Sequence, residues 1–172
     1  MKQKSRFYTA RRILIFWTLF IGLGAVAGAL AMLLDPSGKS MGMDAMLPYF
    51  QVLPFADVVF QDFTFSGWAL LIVNGLTNLT AAGLLLAKKH SGVVLGGVFG
   101  VTLMLWICIQ FYMFPPNFMS TTYFFFGLAQ AATGYAAWVF EKQEAFRVDI
   151  FDYPDIGTNP ERLVVFFSRM GY

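Results

Sequence analysis

Residues 91–140, SGVVLGGVFGVTLMLWICIQFYMFPPNFMSTTYFFFGLAQAATGYAAWVF, contain no Asp, Glu, Lys, Arg or His. Pro115, Pro116 and Asn117 alone interrupt the stretch. A helix needs about 20 mostly apolar residues to cross a hydrocarbon core of about 30 Å. The stretch therefore reads as two crossings, 92–113 and 120–140, joined by a proline turn. Two further uncharged runs, 13–34 and 63–87, supply crossings at 13–34 and 64–87. The predicted fold is an all-α integral membrane protein with four transmembrane helices in an antiparallel bundle over residues 1–140. An outer loop occupies 35–63, and a short cytoplasmic tail, 141–172, holds one isolated strand.

Composition agrees with that reading. Of 172 residues, 58% are hydrophobic, 18% aromatic and 13% charged, and the mean hydropathy is +0.62. A soluble domain carries about 25% charged residues, roughly twice this supply. A soluble core would require several helices that are hydrophobic on every side, buried in a chain too short to surround them.

Orientation follows from the basic residues. Lys2, Lys4, Arg6, Arg11 and Arg12 precede the first crossing, Lys88 and Lys89 fill the link after the second, and Lys142, Arg147, Arg162 and Arg169 follow the fourth. The opposite side has Lys39 against Asp35, Asp44, Asp57 and Asp62. The positive-inside rule then places both termini in the cytoplasm of a multi-pass plasma-membrane protein. The net charge of +2 is a topological bias and implies no nucleic-acid surface. A basic start followed by Ala25-Val26-Ala27 superficially fits a cleaved signal peptide, but an uncharged run from 13 to 34 exceeds the usual 7–15-residue apolar region.

Within the crossings the polar residues are few. Asn74, Thr77 and Asn78 share a face of the second helix, and Asn74, Asn78, Gln110 and Gln130 are expected to meet in the interior, because amides in hydrocarbon need partners. Two roles are open to this cluster, interhelical hydrogen bonding or a polar pocket for a small solute or quinone headgroup. Gly24 and Gly28, and Gly92, Gly96 and Gly100, form smooth stripes at four-residue spacing, suited to close helix packing and to self-association into a homo-oligomer. On the fourth helix Tyr123, Gly127, Gln130, Ala131, Gly134 and Trp138 are expected to face inward. In the outer loop, Pro48 and Pro54 punctuate aromatics that either lie at headgroup level or fold over the bundle as a lid. Asp57 and Asp62 are read as solvated loop charges or as the lining of an entrance.

Catalytic signals are missing. The crossings hold none of the ionisable residues of a proton relay. His90 is the only histidine and Cys108 the only cysteine, so paired haem ligation, a disulfide framework and a metal cluster have no residues to build on. Neither a Ser-His-Asp set, an HExxH nor a Walker loop occurs. This chain alone is not expected to be an enzyme.

The character changes after Phe140. Residues 141–172 carry ten of the 22 charged residues. DYPDIGTNP (152–160) reads as a turn-forming linker, and LVVFFS (163–168) as a short buried strand. The end, LVVFFSRMGY, resembles the first strand and the beginning of the phosphate loop of the flavodoxin family. In that family the loop's N–H groups and the following helix N-terminus hold the FMN phosphate. The resemblance implies that Ser168 and Gly171 are FMN-binding positions in a longer parent protein, the family's next Thr or Ser falling after Tyr172. No cofactor is expected in a chain that ends there, and the competing reading is an apolar tail docked on the bundle.

More loosely, the four-span part resembles small bacterial membrane proteins with a DPSG turn after the first helix (35–38), an NG in the second (Asn74-Gly75) and W-x-x-x-Q in the third (Trp106, Gln110). It also resembles DoxX-like four-helix proteins in helix count. Two functions are therefore expected to compete. One is a membrane-anchoring or docking module for a cytoplasmic flavodoxin-like electron-transfer domain. The other is a DoxX-like protein handling a quinone or other membrane-soluble molecule in the bundle.

Overall fold

The structure, a computed structural model, describes residues 2–152, with side chains over 6–145. Those residues are helical throughout, apart from turns. Helix α1 spans Lys2–Leu34. A lid of 3-10 turns, Lys39–Met41 and Asp44–Val52, and the short helix α2, Ala56–Val59, follows. Helix α3, Thr64–Leu70, passes through a π-helical turn, Leu71–Leu76, into α4, Thr77–Leu86. Helix α5 is His90–Met113 and α6 is Phe118–Asp152. Three helical rods, 6–34, 64–86 and 90–113, are long and apolar enough to cross a membrane. The apolar part of α6 is diluted by Gln130, Tyr123, Tyr135 and three threonines.

The buried residues of α1 are Ala10, Leu14, Thr18, Ile21, Ala25 and Ala29, a 3-and-4 spacing that keeps one face inward. In α6 the inward face is Gly127, Gln130, Gly134 and Ala137, and Tyr123, Ala131 and Trp138 border it half-buried. The outward faces are the more apolar ones: Phe16, Phe20, Leu23 and Leu30 on α1, and Val98, Val101, Leu105 and Ile109 on α5, are exposed. Helix α1 packs on α3, α4 and α6, and α5 packs on α4 and α6.

Small residues set the closest contacts. A Cβ on Gly100 would stand 2.5 Å from the Ala131 nitrogen and 2.8 Å from the Gly127 oxygen, and one on Gly92 would stand 2.5 Å from the Leu85 nitrogen. Gly96 meets the Leu14 side chain, Gly24 the Tyr123 hydroxyl and Gly28 Leu70. Both glycine stripes are thus taken up by packing within the chain. Gly97 and Gly134, outside the stripes, bring α5 and α6 together backbone to backbone.

The turns have local causes. Pro115 and Pro116 end α5, and Asn117 starts α6 by accepting the Ser120 N–H at 2.9 Å, the N-cap bond. At the end of α4 the Lys88 N–H donates to the Leu85 carbonyl (3.1 Å) and the Lys89 N–H to that of Leu84 (3.0 Å), a Schellman closure. Lys88 has φ 59° there, a position normally given to glycine.

The lid closes the end formed by Met113 and Phe114. Phe50 stacks on Phe60 at 5.2 Å and meets Phe63 and Phe114 edge-on. The Phe63 N–H donates to the Pro36 carbonyl at 2.9 Å, joining the loop's two ends. Gly38, at φ 71°, lies against the Phe63 ring, where a Cβ would come within 2.5 Å. Asp62 accepts the Thr64 N–H at 2.8 Å and so starts α3, and Asp57 is exposed.

The charged segment after Phe140 begins as helix: α6 continues to Asp152, without a break where the apolar run ends. The expected strand at 163–168, with Ser168 and Gly171, lies outside the described residues.

Candidate functional site

Asn74, Asn78 and Gln130 are each at most 1% exposed, although the surroundings are apolar. The Gln130 Nε2 group donates both its hydrogens, to Asn78 Oδ1 at 2.8 Å and to the Gly96 carbonyl at 2.7 Å. One side chain of α6 thereby ties α4 to α5. Asn78 Nδ2 in turn donates to the Asn74 carbonyl at 2.9 Å, and Thr77 Oγ1 donates to the Val73 carbonyl at 2.5 Å. Both acceptors lie in the π-helical turn, where the widened register opens carbonyls to side-chain donors.

The cluster is incompletely satisfied. Asn74 Nδ2 and Oδ1 and Gln130 Oε1 are buried without a hydrogen-bond partner. A buried amide group without a partner costs about 1–3 kcal/mol, so this locus has unused capacity both to donate and to accept.

Gln110 does not join it. Its Oε1 accepts from Ser120 Oγ at 2.9 Å, across the turn between α5 and α6, where it braces that turn near the lid. Gln110 lies three residues from the end of α5 at Met113, whereas the Gly96 carbonyl that meets Gln130 is fourteen residues earlier in the same helix, about 21 Å away. Sequence reasoning missed the Gly96 carbonyl, Ser120 and the Leu85 carbonyl as partners. An α-helical carbonyl opposite a glycine-lined contact is accessible, and that is the only signal that would have found the first.

The end opposite the lid is basic. Arg11 donates through Nε (3.1 Å) and through Nη2 to the Leu85 carbonyl. His90 Nδ1 lies 2.7 Å from Glu141 Oε2, and Lys142 Nζ sits 4.5 Å above the Trp138 ring. Arg12, Lys88 and Lys89 are exposed at this end. The lid end carries Asp35, whose carboxylate accepts from Ser37 Oγ at 2.6 Å and from the Ser40 N–H at 2.7 Å. The Ser37 bond foremost, then the Ser40 bonds, hold its pKa down at about 2. No group of three or more His, Cys, Asp or Glu is placed to hold a metal among the described residues. Cys108 is exposed on the outer face of α5.

No family model, curated protein or solved structure matches the chain.

Proposed function

We propose that the chain is a four-span integral protein of a bacterial plasma membrane, basic end and both termini cytoplasmic. Its role is to anchor a flavodoxin-like electron-transfer unit that begins near Leu163. The observation that carries this reading is the continuity of α6. One helix bears Gln130 in the buried core and then extends, charged, from 141 to 152 beyond the basic end. A segment attached there is held at a set distance from the bilayer. The distribution of side chains supports membrane insertion: Asn74, Asn78 and Gln130 are buried while Phe16, Phe20, Leu105 and Ile109 point out, the arrangement suited to lipid outside. The segregation of charge supports the orientation. In this reading Ser168 and Gly171 are FMN-phosphate positions of that unit.

The test has two arms. The chain is expected to stay with membranes through alkaline carbonate washing, and a green fluorescent protein fused after Tyr172 is expected to be bright where an alkaline phosphatase is inactive. Release by carbonate, or an active phosphatase, overturns the membrane reading. The reading frame after codon 172 tests the rest: a continuation starting with Thr or Ser and an amphipathic helix, whose product shows flavin absorbance, supports the anchor. A continuation without these features overturns it.

A second reading is favoured by one observation, the unpartnered buried amide of Asn74 and the unpartnered Gln130 Oε1. In it the bundle handles a small membrane-soluble molecule, such as a quinone, through the amide cluster. Replacing Asn74 and Asn78 together by leucine separates the two roles. Intact assembly with lost quinone binding supports this reading, and lost assembly shows that the amides act as structural bonds between helices.

A further inference from the structure

The Leu85 carbonyl joins two basic segments that are far apart in sequence. It accepts the Lys88 N–H at 3.1 Å and the Arg11 guanidinium. The end of α4 therefore meets α1 at one oxygen, and Arg12 is the next residue of α1 after Arg11. Arg12, Lys88 and Lys89 are exposed. The one acidic–basic side-chain contact at this end among the described residues is His90 with Glu141, and no carboxylate of the described residues lies within ion-pair distance of these three cations. Lys88 is moreover held at φ 59°, a conformation that residues with a side chain rarely adopt.

Apolar surface adjoins the cations. Phe16, one helical turn from Arg12, is 56% exposed, and Leu86, next to the turn, is 61% exposed. A free anion uses the cations alone, whereas a phospholipid uses both features, its phosphate at the cations and its acyl chains along the apolar side chains. We infer that the corner between α1 and the α4–α5 turn is a binding site for the headgroup of an anionic phospholipid, with Arg12, Lys88 and Lys89 as its ligands. This inference rests on the membrane-spanning reading above.

The test is native mass spectrometry of the full chain released from detergent in the presence of cardiolipin, phosphatidylglycerol or phosphatidylcholine. Cardiolipin and phosphatidylglycerol are expected to be retained and phosphatidylcholine lost. Glutamine at Arg12, Lys88 and Lys89 should weaken retention about fivefold for each charge removed, while Lys39→Gln at the opposite end should have no effect. Lys88→Gly, which relieves the backbone and so should fold at least as well, is expected to lose about fivefold on its own. The proposal is overturned by equal retention of phosphatidylcholine, by an equal loss in Lys39→Gln, or by displacement of the lipid with millimolar inorganic phosphate. Flotation of the wild type with purely phosphatidylcholine vesicles separates the two claims, because it succeeds whenever the chain inserts, with or without an anionic site.

Discussion

Gln130 Nε2 donates to Asn78 Oδ1 across the interior of the helical assembly, 2.8 Å away. The same nitrogen holds the Gly96 carbonyl at 2.7 Å, so a single substitution on α6 exposes two acceptors to an apolar interior. Gln130→Leu should destabilise the protein by about 1–3 kcal/mol. The direct coupling between Gln130 and Asn78, read from a double-mutant cycle with Asn78→Leu in detergent unfolding, should be about 0.6–1.7 kcal/mol. A cycle that closes to zero would show that the two amides do not interact.

Gly100 and Gly83 should respond in opposite directions to alanine. At Gly100 the added methyl meets backbone atoms of α6 at 2.5 and 2.8 Å, whereas at Gly83 it meets nothing within 4 Å. Backbone cannot rotate aside as a side chain can, so Gly100→Ala should cost about 1–3 kcal/mol. Gly83→Ala should gain up to about 1 kcal/mol from helix propensity. Thermal midpoints in one detergent compare the two directly.

Lys88→Gly should raise stability by about 0.5–1 kcal/mol, since only the left-handed backbone cost is removed and the Schellman bonds remain. Lys88→Val should lower it, because a β-branched residue tolerates φ 59° still less. A midpoint for Lys88→Gly below the wild type would show that the lysine side chain makes a stabilising contact worth more than the strain.

The lid turn has an acid limit set by Asp35. Its pKa in the folded protein, about 2, lies below the ordinary value of 3.8, so its contribution is complete above pH 4 and is lost as the pH falls through 2. Carbon-detected NMR of the Asp35 carboxyl should titrate near 2, and Ser37→Ala should move that midpoint upward. An Asp35 midpoint near the ordinary value in the wild type would mean that the Ser37 and Ser40 bonds do not persist in solution.

How far the sequence reached depended on the kind of signal. The absence of charge over 91–140 and the Pro115-Pro116 break are long-range patterns, and the α5–α6 turn falls where they put it. An amide in an apolar helix also declares its need for a partner, which is why Asn78 and Gln130 stand within the expected four-amide cluster, although the pairing itself comes from the structure. Gln110 is separable from them by depth: it stands three residues from the end of the expected span 92–113, whereas Gln130 lies in the middle of 120–140. The π-helical turn at Leu71–Leu76 has no sequence signal: Thr77 and Asn78 bond back to Val73 and Asn74, but Thr102, Thr122 and Thr133 make the same bond where the helix stays α. Charge density marked Phe140 as the end of the apolar run, yet residues 141–152 are good helix formers, and α6 continues through them.

The unbroken course of α6 also fixes an angle. At about 1.5 Å and 100° per residue, the stretch from 141 to 152 carries the chain about 18 Å beyond Phe140. The exit direction at Asp152 is therefore geared to the azimuth of Gln130 in the core. Inserting one residue in that stretch would swing whatever follows by more than a quarter turn while lengthening the arm by only about 1.5 Å. The helix thus acts as an indexing shaft, which sets the facing of the backbone at Asp152 as firmly as its height.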